Sequence, residues 1–148
     1  MEIQVRLATA QDRTTLDAFY KREGIDFHGL TTRSAFTPIG STRETMYVVA
    51  AAQDMIVAAL RLDVAEDPEL GDVGYIQHFE VEDELEGTDL GLSMLEKTIE
   101  IATEKRLRAL DAIVREDRAD VMRLYLDSEF NELHKEVYLR RSFRERIF

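Results

Sequence analysis

The chain has 148 residues, 45% hydrophobic and 33% charged, enough for one apolar core and suited to a single domain over residues 1–148. It contains no Cys, which removes thiol nucleophiles, thiolate metal sites and disulfide scaffolds and fits a reducing compartment. A net charge of −11 at pH 7 argues against a nucleic-acid partner; with no apolar run of bilayer length and no secretory leader pattern, the expectation is a soluble, cytoplasmic protein with no membrane partner.

Glu2 to Leu7 alternates, with Ile3, Val5 and Leu7 on one face, and predicts a first strand. Thr9 followed by Asp12 predicts a helix start with a variant capping box, and Leu16, Phe19 and Tyr20 carry helical spacing up to Gly24. Ile25 to Arg43 mixes Gly, Thr, Ser and Pro with large apolar residues and predicts a short helix or a covering loop. Met46–Ala52 and Met55–Val64 are β-rich runs separated by Gln53 and Asp54, the spacing of a tight hairpin. Pro68 and Gly71 mark the next turn, and Val73–Val81 reads as a fourth strand. Leu92, Leu95, Ile99 and Ala102 then recur at helical spacing. Ala109–Val114 predicts a short buried strand, Asp120–Ser128 a helix with Val121, Leu124 and Tyr125 inward, and Leu133–Arg140 a closing strand. The pattern is an α+β (mixed α/β) one, an antiparallel meander feeding a strand, helix, strand unit.

Charge is unevenly spread. From Leu62 to Glu96 there is no Lys or Arg, whereas twelve acidic residues fall there, and Arg140, Arg141, Arg144 and Arg146 crowd the C-terminus. Such a run either solvates a face or attracts a cationic substrate or partner. His28, His78 and His134 lack metal-ligand spacing, and no P-loop, nucleophile elbow or dinucleotide fingerprint is present, so no metal site is expected.

The stretch FEVEDELEGTDLGLSML, Phe79 to Leu95, resembles the central motif of the GNAT superfamily of N-acetyltransferases, in which a strand runs into an Arg/Gln-x-x-Gly-x-Gly/Ala turn and a helix. Phe79 and Val81 stand at the strand positions and Gly87 and Gly91 at two turn glycines. RLYLDSEFNELHKEVYLRR, Arg123 to Arg141, is similar to the family's late helix and final strand, and VRLATAQD, Val5 to Asp12, to its opening. The resemblance implies a mostly antiparallel twisted sheet flanked by helices and splayed at strands 4 and 5, with acetyl-coenzyme A held by Phe79, Val81, Glu86, Gly87, Thr88, Asp89, Leu90 and Gly91. A helix N-terminus with Gly-permitted close approach suits a pyrophosphate. Tyr125 stands where the family keeps a Tyr that protonates the departing thiolate. The resemblance further implies an amine acceptor, either a small molecule or a basic peptide, and a homodimer, dimers being common in the family.

Three departures stand out. Glu86 replaces the family's Arg or Gln, and Asp89 its middle Gly; carboxylates there repel a diphosphate, although Asp at a helix N-terminus is also an ordinary stabilising choice. Counting back from Val81 to the usual base positions gives Gln77 and Tyr75, weak bases that could orient a water. By strand alternation Tyr75, Gln77, Phe79 and Val81 share one face, and His78 and Glu80 the other, so a bulge would be needed to re-aim the latter pair. Glu129 replaces the Gly before Phe130, which either costs about 1 kcal/mol or moves the cap to Asn131. Two functions follow: direct acetyl transfer from acetyl-coenzyme A to a primary amine, or a degenerate, non-catalytic GNAT-fold module that binds or regulates.

Overall fold

The computed structural model describes residues 2–24, 42–135, 137 and 139–143. Strands β1 (Ile3–Leu7), β2 (Thr42–Ala52), β3 (Met55–Asp67), β4 (Gly71–Val81) and β5 (Ala109–Ala112) lie in chain order across one sheet. The first four pair antiparallel, and β5 joins β4 in parallel. A parallel neighbour needs a crossover, which the helix α2 (Leu90–Glu104) supplies. Helices α1 (Arg13–Arg22) and α3 (Ala119–Asp127) complete the mixed α/β arrangement that the pattern predicts.

Burial assigns the faces. Leu16, Phe19 and Tyr20 of α1 pack on Val49, Ile56 and Ala59. On the opposite face Leu90, Met94, Leu95 and Ile101 of α2 and Tyr125 of α3 pack on Val48, Ala50, Leu60, Leu62 and Ile76. β3 is therefore covered on both faces and buried almost throughout. Each fully buried Phe or Leu contributes about 1.5–3 kcal/mol, so these two layers, more than helix propensity, hold α1 and α2 in place. Of the predicted inward stripe of α2, Leu95 and Ala102 are buried and Ile99 packs on the core, whereas Leu92 is exposed and Met94, Thr98 and Ile101 complete the buried face, since tertiary contact with β2 and β3 selects it.

Local signals act largely as expected. The Thr9 N–H donates to Asp12 Oδ2 at 2.7 Å, and the same carboxylate takes both terminal nitrogens of Arg6 at 2.7 and 2.9 Å. Those bonds hold the Asp12 carboxyl well below the usual carboxylate range. The hairpin turn at Gln53 and Asp54 puts Gln53 at φ 57°. At Gly74, where β4 meets β5, a Cβ would lie 2.8 Å from Leu110 Cδ2 and 3.0 Å from Leu62 Cδ1, so close packing selects glycine there.

Two expectations fall differently. The predicted covering segment, apart from Thr42 and Arg43 at the start of β2, lies outside the described residues. Among the described residues of 133–140 no strand forms, which corrects the predicted closing strand; Leu133, Val137 and Leu139 are 79%, 80% and 84% exposed. Alternation alone does not make a strand without a pairing edge. Among the described residues no helix is long and apolar enough to cross a membrane.

Candidate active site

β5 pairs with β4 only from Val73 to Ile76, so Gln77 to Val81 continue without a β5 partner, and the sheet opens there. On its other edge β4 slips against β3: Arg61 pairs with Gln77 and Ala59 with Glu80, leaving one extra β4 residue between them. His78 lies in this bulge with φ 49°, a conformation that costs a non-glycine residue about 1–3 kcal/mol. An inserted residue inverts every side chain beyond it. Tyr75 and Gln77 accordingly face the α1 side, Phe79 and Val81 the α2 side, and Glu80 the α1 side. The expected common face of Tyr75, Gln77, Phe79 and Val81 is thus divided by the bulge.

On the α2 side, Phe79, Val81 and Leu85 pack in one apolar cluster with Leu90, Tyr125 and Phe130. Tyr125 is 6% exposed, and its ring meets Phe130 edge to face at 5.0 Å. Burial pushes its phenol well above the usual tyrosine range, and among the described residues its hydroxyl has no hydrogen-bond partner. Glu129 itself takes the left-handed cap of α3, with φ 68°, and the Phe130 N–H returns to the Tyr125 carbonyl at 3.1 Å. The cap thereby folds Phe130 onto Tyr125.

The α1 side is polar and charged. Gln77, 6% exposed, donates from Nε2 to Asp63 Oδ2 at 2.5 Å; Thr45 Oγ1 donates to Asp63 Oδ1 at 2.7 Å, and Arg61 to Asp63 Oδ2 at 3.0 Å. Tyr75, opposite Asp63 in the ladder, lies buried among Ala65, Val73 and Ala109. Burial and the Arg61 guanidinium lower the His78 imidazole below its ordinary value, against the pull of Asp63. The Glu80 carboxyl is raised, first by burial and then by Glu23, Glu86 and Asp83, with Arg118 opposing. Tyr20 reaches across from α1 to donate its hydroxyl to the His78 carbonyl at 2.9 Å. Sequence reasoning named Glu80 only on condition of a bulge and missed Asp63, Arg118 and the reach of Tyr20, because each depends on contacts distant in sequence.

After Val81 a 3₁₀ turn at Asp83–Leu85 leads through Gly87, φ 83°, into α2. Glu86 and Asp89 are both exposed. Asp89 occupies the N-cap position of α2 without a capping hydrogen bond from its side chain; Thr88 Oγ1 accepts from the Leu90 N–H at 3.3 Å instead. Among the described residues the amides of Gly87, Asp89, Gly91 and Leu92 have no hydrogen-bond acceptor. Gly91 sits in the first turn of α2 against Leu124, where a Cβ would make a 3.5 Å contact. Unsatisfied amides at a helix start, next to an open strand edge, form a cradle for an anionic group with an extended arm. Among the described residues no group of His, Asp and Glu could hold a metal ion.

Residues 13–130 match the model of the acetyltransferase (GNAT) family. No curated protein matches the chain in sequence. Among solved structures, a transcriptional regulator from Bacillus halodurans C-125 is 18% identical with a TM-score of 0.70, covering 94% of this chain and 99% of its own. An aminoglycoside acetyltransferase from an uncultured soil metagenomic sample, in complex with sisomicin, is 12% identical with a TM-score of 0.72 over 96% of this chain and 97% of its own. A predicted acetyltransferase from Clostridium acetobutylicum, with acetyl-CoA, is 16% identical with a TM-score of 0.69, covering 94% and 96%. At these identities the likeness is one of fold.

Proposed function

Because the chain belongs to the acetyltransferase (GNAT) family, we propose that it is a single-domain N-acetyltransferase that moves an acetyl group from acetyl-coenzyme A to a primary amine by direct attack in a ternary complex. The observation that carries this is the opening of the sheet beyond Ile76, where Gln77–Val81 run on past the end of β5, near the amides of Gly87, Asp89, Gly91 and Leu92, which have no acceptor among the described residues. The fit is favourable: main-chain groups of Gln77–Val81 can pair with an extended amide-bearing arm, and the α2 N-terminus can receive a diphosphate. When bound, acetyl-coenzyme A supplies the activated acyl group as a thioester.

The chain's own residues divide the proton work. Glu80 faces the α1 side among Glu23, Asp83 and Glu86, a setting that attracts an ammonium and raises the basicity of the Glu80 carboxylate. It accepts the proton an amine must lose before attack. The water route expected from Gln77 and Tyr75 lies on this same side, with Gln77 anchored by Asp63. On the other side Tyr125 keeps its proton at neutral pH and holds a hydroxyl with no partner among the described residues, suited to donate toward a departing thiolate. The acidic surroundings of Glu80 favour a cationic small-molecule amine over a neutral one. The aminoglycoside complex of the metagenomic relative supports that class of acceptor.

A specific observation favours the second reading, a module that does not use the cofactor: Glu86 and Asp89 stand exposed at the turn that must meet the diphosphate. A thermal-shift titration with acetyl-coenzyme A separates the two. At a hundredfold excess over Kd a ligand adds about 2.7 kcal/mol, or about 5 to 10 °C for a chain of this size. A shift of that order, followed by turnover in a screen of polyamines and aminoglycosides, supports the enzyme. No shift up to millimolar cofactor supports the binding module.

A further inference from the structure

We propose that Tyr20 is a positioning residue for acetyl transfer, whose hydroxyl locks the His78 bulge of β4 and so decides which way Glu80, Phe79 and Val81 face. This rests on the acetyltransferase reading for its consequence, though not for its geometry. Tyr20 is wholly buried in the α1 layer, its ring edge-on to Phe19 at 5.5 Å and to Tyr47 at 6.3 Å. From that fixed seat the hydroxyl donates to the His78 carbonyl at 2.9 Å, 58 residues away in the chain.

The need for such a bond follows from the local backbone. The β3 ladder passes from the Arg61–Gln77 pair to the Ala59–Glu80 pair, so the bulged residue falls outside its register. Its φ of 49° is one that an L residue adopts only when surrounding structure holds it there. Without that hold, β4 can regain regular pairing by losing the bulge, and every side chain past His78 changes face. Glu80 would then turn toward the apolar cluster of Leu90 and Tyr125, and Phe79 toward Arg61 and Asp63. A buried tyrosine hydroxyl aimed at the carbonyl of the strained residue opposes that change and couples α1 to the catalytic strand. Around Glu80 the other charged groups are Glu23 just after α1, Asp83 and Glu86 after β4, and Arg118 before α3, so its titration reports its placement.

The test is Tyr20→Phe in the full chain, which keeps the ring and removes only the hydroxyl. The expected result is a folded protein whose kcat falls about tenfold or more, with the acid limb of its pH profile displaced, as misplacement of a reacting group predicts. The imidazole of His78, followed by NMR titration, should also shift, since its distance to Arg61 and Asp63 changes. Unchanged kcat, acid limb and His78 titration would overturn the proposal. A second variant, His78→Gly, accepts positive φ without strain, so in that background Tyr20→Phe should lower kcat less than threefold. An equal loss in both backgrounds assigns Tyr20 to general packing and overturns the proposal. If Tyr20→Phe alone fails to fold, recovery of folding by His78→Gly supports it and continued failure overturns it. If the wild-type chain acetylates no amine, the enzymatic reading falls by itself, and the His78 titration still decides the role of Tyr20.

Discussion

At its open end β4 presents Phe79 and Val81 to an apolar cluster on one side and Glu80 to a group of carboxylates on the other. The two sides differ in what they ask of water. The Tyr125 side is closed by packing, so a phenol there keeps its proton; the Glu80 side is acidic and half-buried, so a carboxylate there binds protons more tightly than glutamate ordinarily does. A strand one residue wide thus separates a proton donor from a proton acceptor, which is what deprotonation of an ammonium before its amine attacks and protonation of the departing thiolate require of a single site.

The sharpest way to break this contrast is Glu80→Gln. Loss of a general base costs about a hundredfold or more in kcat/KM and should abolish the acid limb of the pH profile. In the wild type that limb should lie above the ordinary glutamate range, with activity rising as pH rises through it. The same change should raise the melting temperature at neutral pH: an acid whose folded pKa is raised destabilises the fold once ionised, and that penalty is relieved as pH falls. Opposite signs for turnover and stability identify a functional carboxylate; a loss of both would assign Glu80 to structure.

On the other side, Tyr125→Phe should lower kcat about tenfold to a hundredfold while acetyl-coenzyme A affinity, measured by calorimetry, stays constant. Unaltered turnover removes Tyr125 from the chemistry. Next in size is Glu86→Arg with Asp89→Gly, expected to tighten acetyl-coenzyme A binding about tenfold, since each like-charge contact near 4 Å costs about 1 kcal/mol even in water. No gain would show that the exposed carboxylates swing clear. The smallest effect is Glu129→Gly, expected to stabilise by about 1 kcal/mol, a rise of a few degrees in a thermal melt, because Glu129 holds φ 68° at the end of α3.

Much of the frame is legible in the residues themselves. The alternation of Ile3, Val5 and Leu7, the spacing of Leu16, Phe19 and Tyr20, and the Gly87 to Gly91 turn state their elements locally, where period and turn chemistry act. The division of β4 does not show in that way, since neither Gln77 nor His78 nor Phe79 is a residue type that announces an insertion. Register is set by the facing strand, and a bulge is visible only when Ala59 and Arg61 are counted against it. Leu133 to Leu139 fails for a related reason: alternation describes a segment that could pair and says nothing of whether an edge receives it. The exposed carboxylates of Glu86 and Asp89 are legible as charges, but that Asp89 makes no side-chain cap to α2 is not, since this depends on how the turn before the helix presents its carboxylate to the first-turn amides.

The bulge at His78 gives the strand a parity, and parity is fragile in one direction only. Exchanging one side chain there leaves the count intact, and deleting the one extra residue between Gln77 and Glu80 removes the bulge while leaving Glu80 opposite Ala59; the end of β4 turns over only if the ladder regularises with every residue kept, which sets Phe79 and Val81 where the acid stood and a carboxylate inside the apolar layer. A one-residue deletion between Gln77 and Glu80 should therefore keep Glu80 beside Ala59 and make the Tyr20 hydroxyl dispensable, so that shortening the strand by one relieves what Tyr20→Phe alone disturbs.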